Sequence, residues 1–171
     1  MAEQQRIFLV GPMGAGKTTI GKRLAKAVKR RFVDCDHELE RRTGVSIAVI
    51  FEVEGESGFR ERERRMLDEL TQLDDVVLAT GGGAVLDEGN RELLRCRGFT
   101  VYLYANVDDL LLRTRNDVNR PLLKAPDRVQ RLHEIVTVRE PLYREVAALA
   151  IDTGAHTLSE IVALIRSKCG V

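Results

Sequence analysis

The sequence is short of several residue types, and each shortage excludes a class of protein. Among 171 residues there are no tryptophans, three cysteines and four prolines, and aromatic residues make up 5% of the chain. Cys35, Cys96 and Cys169 are far apart and form no C-x-x-C pair, so neither a disulfide framework nor a zinc site is indicated. No apolar run approaches the ~20 residues of a membrane span. The polar N-terminus predicts no secretory signal, and reduced thiols favour a cytoplasmic location.

The chain also lacks a strong charge of either sign. Its formal net charge is +1, whereas domains that bind nucleic acid are usually strongly basic, so we expect no nucleic-acid partner. The hydrophobic fraction of 44% is ordinary for a globular protein. We expect one domain over residues 1–171. No exposed apolar stretch calls for a partner chain, so we expect a monomer.

Apolar runs alternate with amphipathic segments, which predicts an α/β fold with a mostly parallel sheet. The predicted strands are residues 6–10, 32–35, 76–79, 100–104 and 149–152. The predicted helices cover residues 17–29, 37–42, 56–73, 89–97, 107–115, 128–147 with an interruption at Pro141, and a last one from residue 157. A further helix, between residues 42 and 56, is predicted to be capped by Ser46 and broken at Gly55. Residues 116–127 are polar and without a period, and we interpret them as a loop that closes over the site.

Residues 11–18 read Gly-Pro-Met-Gly-Ala-Gly-Lys-Thr and fit the pattern G-x-x-x-x-G-K-[ST] between a predicted strand and a predicted helix. Glycines let the backbone N–H groups surround phosphate oxygens, and the positive end of the next helix favours an anion there. The alternative is a chance glycine turn, which the strand and helix on either side disfavour. The predicted nucleotide-binding residues are Gly14, Ala15, Gly16, Lys17, Thr18 and Thr19, with the Thr18 hydroxyl as a ligand for Mg²⁺.

Other candidate residues follow the next two strands, where ligands of open parallel sheets bind. Asp34 and Asp36 would point to the same side if the chain is still extended there, one toward Mg²⁺ and the other toward a substrate hydroxyl. The alternative is a strand-end turn with an aspartate as helix cap. Gly81, Gly82 and Gly83 allow bare backbone to approach a ligand, or else form a flexible turn.

Arginines supply the remaining candidates. Arg60, Glu63 and Arg64 share a helix face, and an arginine held by a glutamate could present its guanidinium to a carboxylate instead of to solvent. Arg139 could be a second carboxylate clamp, and Arg120 in the loop could swing toward a transferring phosphoryl group.

Together these motifs resemble the shikimate kinase family of the nucleoside monophosphate kinase-like P-loop group. The resemblance covers essentially the whole chain and rests on segments 11–18, 34–36, 50–51, 55–56, 59–63, 80–83, 120–123 and 139–143. It implies a three-layer α/β/α fold with a five-stranded parallel sheet in the order 2-3-1-4-5. It also implies transfer of the ATP γ-phosphoryl group to the 3-hydroxyl of shikimate with Mg²⁺, in the pathway to chorismate and aromatic amino acids.

The resemblance also assigns roles to residues. The shikimate-binding positions are matched by Asp36, Arg60, Gly82 and Arg139, with Gly81 and Gly83 around them, within a substrate-binding helical region of about residues 36–63. Glu63 matches the acid that holds the substrate arginine, Arg120 the arginine of a mobile lid over residues 116–127, and Arg113 a position against adenine. The catalytic candidates are Asp36, Lys17 and Arg120. The third strand ends without the acidic metal ligand usual in P-loop enzymes, which leaves Asp34 beside Thr18 as the acid near Mg²⁺.

Two other functions stay open from the residues alone. A kinase of another small acceptor, such as gluconate or a nucleoside monophosphate, would need the same phosphate loop. A nucleotide-dependent binding module or switch would bind ATP without transferring phosphate to a small hydroxy acid. Two arginines and an aspartate favour an acceptor that carries both a carboxylate and hydroxyl groups.

Overall fold

A computed structural model of the chain describes residues 6–115 and 127–171. Five strands form one parallel sheet in the order β2-β3-β1-β4-β5, as predicted. The strands are β1 (Ile7–Val10), β2 (Arg31–Asp34), β3 (Val76–Ala79), β4 (Phe99–Tyr104) and β5 (Leu149–Asp152). Ala79 of β3 pairs with Asp34 of β2 on one side and with Leu9 of β1 on the other side. The strands β2, β3 and β1 therefore end side by side.

Within residues 6–115 and 127–171, seven helices pack on the two faces of the sheet. They are α1 (Lys17–Val28), α2 (Cys35–Thr43), α3 (Ile47–Leu70), α4 (Glu88–Arg97), α5 (Val107–Thr114), α6 (Arg128–Val146) and α7 (Leu158–Cys169), and a short 3₁₀ turn covers Ala84–Leu86. No helix within the described ranges is long and apolar enough to cross a membrane.

The core consists of two hydrophobic layers, one on each face of the sheet, because side chains alternate along a strand. Ile7 and Leu9 of β1 join the layer under α1 and α7, whereas Phe8 and Val10 join the layer under α3. All four are fully buried. The continuous apolar run of β1 is therefore the pattern of a strand covered on both faces.

Several local expectations were correct because their signals are local. The Ser46 hydroxyl accepts a hydrogen bond from the Val49 N–H and caps α3 as predicted. The strands at Val76–Ala79 and Leu149–Asp152 have the predicted bounds. Gly55, with φ of 73°, interrupts the helical geometry between the two parts of α3, so the predicted break is a kink inside one longer helix.

Two expectations were wrong. Cys35 was expected on strand β2, but it is the first residue of α2, because Asp34 caps that helix with its side chain. Helix α6 was expected to be interrupted near Pro141, yet it continues through that residue, since a proline removes only one helical hydrogen bond. The predicted lid over residues 116–127 lies, apart from Asp127, outside the described residues.

Candidate active site

The phosphate loop joins β1 to α1 and depends on three glycines with positive φ. Gly11 has φ of 149°, and a Cβ there would lie 2.2 Å from the carbonyl oxygen of Leu103, so no other residue fits this position without moving the backbone. Gly14 and Gly16 have φ of 82° and 96°. Gly16 is the N-cap of α1 and offers no side chain to its first N–H groups, which leaves the positive end of the helix open to an anion.

Lys17 lies over this loop. Its Nζ donates hydrogen bonds to the carbonyl oxygens of Gly11 at 2.6 Å and Pro12 at 2.9 Å, and the residue is 9% exposed. The ammonium group of Lys17 can move from these carbonyls to an oxygen of a phosphate that the loop N–H groups bind. The loop therefore fits the polyphosphate of a nucleotide in both shape and charge.

Thr18 and Asp34 bring two oxygen ligands together beside the loop. The Thr18 hydroxyl donates to Asp34 Oδ2 at 2.6 Å, and Asp34 Oδ1 accepts from the His37 N–H at 3.1 Å. Asp34 therefore caps α2 and also reaches Thr18 of the phosphate loop, while its role as a ligand of Mg²⁺ stays a prediction. A hydroxyl and a carboxylate are ligands that suit Mg²⁺. Among the described residues no group of three or more His, Cys, Asp or Glu side chains could hold a metal.

Asp36 faces the same space from the first turn of α2. The chain is helical from Cys35 onward, so of the two geometries that the sequence left open at residues 34–36, the helix capped by an aspartate is the one observed. Asp36 nevertheless lines a pocket of about 320 Å³ whose opposite wall is the phosphate loop. The pocket is lined by Gly14, Gly16, Lys17, Thr18, Thr19, Asp34, Asp36, Thr80, Gly81, Gly82 and Arg113. A single cleft thus joins predicted nucleotide-binding and acceptor-binding residues.

The three glycines after β3 form a turn closely surrounded by charged side chains. A Cβ on Gly81 would lie 2.9 Å from both Asp36 Oδ1 and Glu63 Oε2, and one on Gly83 would lie 2.3 Å from Arg60 Nη2. Gly82 is less crowded, with Arg139 Nη1 and the Met13 N–H each 3.5 Å from the position of a Cβ. None of the three has a positive φ, so it is close approach and not backbone strain that requires glycine at residues 81 and 83.

Arg60 and Glu63 form a hydrogen-bonded ion pair on α3. Arg60 Nη1 donates to Glu63 Oε1 at 2.9 Å, and Glu63 is 2% exposed. Burial raises the pKa of the Glu63 carboxyl, and the Arg60 guanidinium opposes the rise. Arg60 Nε and Glu63 Oε2 are buried and have no partner among the described residues, so this pair keeps hydrogen-bonding capacity for a ligand.

Arg64 does not join this pair, contrary to the helix-face expectation. It bonds to Glu61 and lies 3.7 Å from Asp87 Oδ2, with about half of its side chain exposed. Arg60 and Arg64 are four residues apart, which allows two side chains to share a helix face. Glu63 is nevertheless buried, whereas Arg64 lies at the surface.

Arg139 reaches the glycine turn from α6 and is 5% exposed. One turn later, Tyr143 donates a hydrogen bond from its hydroxyl to the Gly82 carbonyl at 2.5 Å. Tyr143 belongs to the motif at residues 139–143, but the sequence alone indicates no role for it. Its four-residue spacing from Arg139 was the signal that both face the same way.

Arg113 lines the same pocket from α5. Its Nη1 donates to the Gly14 carbonyl and to the Thr153 hydroxyl, both at 3.1 Å. Thr153 follows β5 and was also not singled out from the sequence. Arg120 was predicted to act from the lid, and it lies outside the described residues.

Comparison with known proteins identifies one enzyme family. The family model for shikimate kinase matches residues 13–169. A shikimate kinase from Bordetella avium is 57% identical over 162 residues, which cover 95% of this chain and 78% of that protein. The structure of a shikimate kinase from Acinetobacter baumannii in complex with shikimate has a TM-score of 0.93 at 50% identity, with 96% of this chain and 92% of that chain covered.

A more distant structural neighbour bears on the alternative acceptor. A gluconokinase from Sinorhizobium meliloti has a TM-score of 0.63 at 18% identity, covering 98% of this chain and 92% of that one, and so shares the fold alone. The family-model match spans more than half of the chain and the Bordetella relative is far above 30% identity. This chain, an ATP-dependent kinase that works with Mg²⁺, therefore belongs to the shikimate kinase family.

Proposed function

We propose that this chain transfers the γ-phosphoryl group of ATP to the 3-hydroxyl of shikimate, giving ADP and 3-phosphoshikimate in the pathway to chorismate and aromatic amino acids. The observation that carries the proposal is the single pocket of about 320 Å³ in which Lys17 and Thr18 face Asp36, Gly81 and Gly82. A phosphoryl donor and a small hydroxylated acceptor can meet there in line, which is the main requirement of this reaction.

Arg60 and Arg139 would bind the carboxylate of the acceptor. Their guanidinium groups flank the glycine turn, at Gly83 and Gly82 respectively. Arginine gives paired N–H groups that match both oxygens of a carboxylate, and burial strengthens the interaction. Glu63 would hold Arg60 in place through the 2.9 Å bond and keep its fork toward the pocket.

Asp36 would orient the 3-hydroxyl for attack and accept its proton as the bond to phosphorus forms. Its Oδ1 lies beside Gly81, at the junction between the acceptor wall and the phosphate loop. A nucleoside monophosphate has no carboxylate for two arginines, and gluconate lacks the ring that places a hydroxyl at a fixed distance from its carboxylate. The pair of arginines and Asp36 therefore favours shikimate.

Lys17 would leave the carbonyls of Gly11 and Pro12 to stabilise the charge that develops on the transferring group, together with Arg120 from the lid. Thr18 and Asp34 would hold Mg²⁺, which neutralises phosphate charge when bound. Gly14, Ala15, Gly16 and Thr19 would bind phosphates, and Arg113 would lie against adenine. Closure of the lid would exclude water and so limit ATP hydrolysis.

We further infer a monomeric, cytoplasmic enzyme of one domain without a nucleic-acid partner. Its net charge of +1 supports the last point. The two core layers share the same sheet, which supports one cooperative unit.

The proposal is tested by measuring ADP release with shikimate, gluconate and a nucleoside monophosphate as acceptors. We expect shikimate to be turned over fastest, and faster turnover of gluconate would refute the assignment. Asp36→Asn should lower kcat with shikimate by at least ~10²-fold, the low end for acid–base groups. Asp108→Asn, the same change on the exposed first turn of α5, is the matched control and should leave kcat unaltered.

A further inference from the structure

The segment that follows β3 has an unusual hydrogen-bonding pattern, because each of its six successive carbonyl groups accepts a hydrogen bond. The donors to residues 81–86 are, in order, the Ala84 N–H, the Tyr143 hydroxyl, the Leu86 N–H, the Asn90 side-chain amide, and Arg91 for the last two carbonyls. A peptide unit whose carbonyl group accepts a hydrogen bond cannot rotate without losing that bond. The segment is therefore held in one conformation before any ligand arrives.

The N–H groups of the same turn are arranged in the opposite way. Within residues 6–115 and 127–171, the amides of Gly82 and Gly83 donate to no other group of the chain. A peptide unit is planar and trans, so fixing the Gly82 carbonyl also fixes the direction of the Gly83 N–H, which points away from it. The bond from Tyr143 therefore sets the direction of a free backbone donor.

Tyr143 is itself rigidly held. It is 1% exposed, and its ring stacks on Tyr102 with centroids 5.1 Å apart and an interplanar angle of 23°. Arg144 lies 5.5 Å above the rings of both Tyr102 and Tyr104 and covers this aromatic cluster. Burial also raises the pKa of the Tyr143 phenol, so the hydroxyl keeps the proton that it donates.

The same residue links two parts of the acceptor wall. Arg139 is one helical turn before Tyr143 on α6, and its Nη1 lies 3.5 Å from the position of a Cβ on Gly82. The hydroxyl bond thus fixes the spacing between the Arg139 guanidinium and the free amides of the glycine turn. A planar carboxylate needs its donors at a set spacing, and this bond is what maintains it.

We propose that Tyr143 is a positioning residue for the acceptor carboxylate: its hydroxyl aligns the Gly82–Gly83 peptide with Arg139 so that backbone and guanidinium donors bind the carboxylate together. This inference rests on the proposed function, since it assumes that the carboxylate of shikimate binds at the glycine turn.

Tyr143→Phe tests the inference, because it removes one oxygen and leaves the stack on Tyr102. We expect the Kd for shikimate, measured by calorimetry, to rise about 3- to 10-fold, the range for one net hydrogen bond, while the Kd for ADP stays the same. Tyr102→Phe is the matched control, because it also removes one hydroxyl from this aromatic cluster. The Tyr102 hydroxyl makes no hydrogen bond to the described glycine turn. It should leave both values unaltered.

Unaltered shikimate affinity in Tyr143→Phe, or an equal loss of shikimate and ADP affinity, would show a purely structural role and overturn the inference. A measurement on the unmodified chain is independent of how well the variant folds. In ¹⁵N-glycine-labelled protein, which has 14 glycines, shikimate should shift the Gly82 and Gly83 amide resonances, and unmoved resonances also overturn it. If the unmodified chain does not phosphorylate shikimate at all, the proposed function fails instead, and the two failures are distinguishable.

Discussion

Gly83→Ala is the sharpest test of the acceptor wall, because the methyl group would occupy the position of the Arg60 guanidinium. The new Cβ would lie 2.3 Å from Arg60 Nη2 and 2.6 Å from both Cζ and Nη1. Ordinary contact begins at 3.4 Å, so the guanidinium would have to retreat by about 1.1 Å. The backbone of Gly83 has no positive φ, and alanine therefore adds no backbone strain there.

A displacement of this size acts on function more than on folding. A misplacement of about 1 Å can cost about 10²-fold in rate, so kcat/KM for shikimate should fall by that order. The shift also weakens the bond between Arg60 and Glu63, which should cost about 1 kcal/mol and lower Tm by about 2–4 °C. Affinity for ATP should stay the same, since the phosphate loop does not contact Arg60 among the described residues.

Gly89→Ala is the matched control, the same change on the exposed first turn of α4 and outside the pocket. Its Cβ would lie 3.0 Å from Asp87 Oδ1, the end of a side chain that can move aside, so kcat/KM for shikimate should stay the same. Steady-state kinetics with shikimate and ATP varied separately, and thermal unfolding of both variants, give the comparison. Equal kcat/KM in the two variants would refute the placement of Arg60 at the carboxylate.

Two further predictions concern Mg²⁺ and pH. Thr18→Val removes the hydroxyl bonded to Asp34 and should raise the Mg²⁺ concentration for half-maximal activity by about 10-fold or more. Thr18→Ser keeps the hydroxyl and is the control. An unchanged Mg²⁺ titration in Thr18→Val would contradict the ligand assignment. Hydrogen bonds from Arg41 and Arg42 lower the pKa of Glu38 from its usual 4.5 to about 2, so the folded state favours the charged form. Glu38→Gln should therefore destabilise the protein in urea at pH 7, and the difference from the unmodified chain should shrink as the pH falls from 4.5 toward 2; a constant difference would contradict this.

The parts of the structure that the sequence predicted are those with local signals. Strand β1 has a continuous apolar run, the phosphate loop has glycines at fixed spacing, and Ser46 precedes a helix with a free N-terminus. Each of these patterns needs only its own neighbours to take the observed conformation. The resemblance to a family then supplied the strand order, which no local pattern contains.

The parts that the sequence missed depend on contacts between distant segments. At Asp36 the sequence left two geometries open, an extended chain or a helix capped by an aspartate, and only the structure shows the helix that Asp34 caps. Arg64 follows the spacing rule for a shared face and yet bonds at the surface. Tyr143 gains its role from the Gly82 carbonyl, 61 residues away, so nothing in its own sequence neighbourhood distinguishes it from a core tyrosine.

The strand order described above also bears on how new specificities can arise. Because β2 and β3 lie on one side of β1, and β4 and β5 on the other, Asp36 and the glycine turn are separated from Arg113 and Thr153 by the central loop. Arg139 is an exception, because it lies on α6 in contact with α5, but mutations at Asp36 and the glycine turn need not disturb the side proposed to bind the nucleotide. Such a division makes the scaffold evolvable: a duplicated gene can explore new acceptors while retaining ATP as its donor.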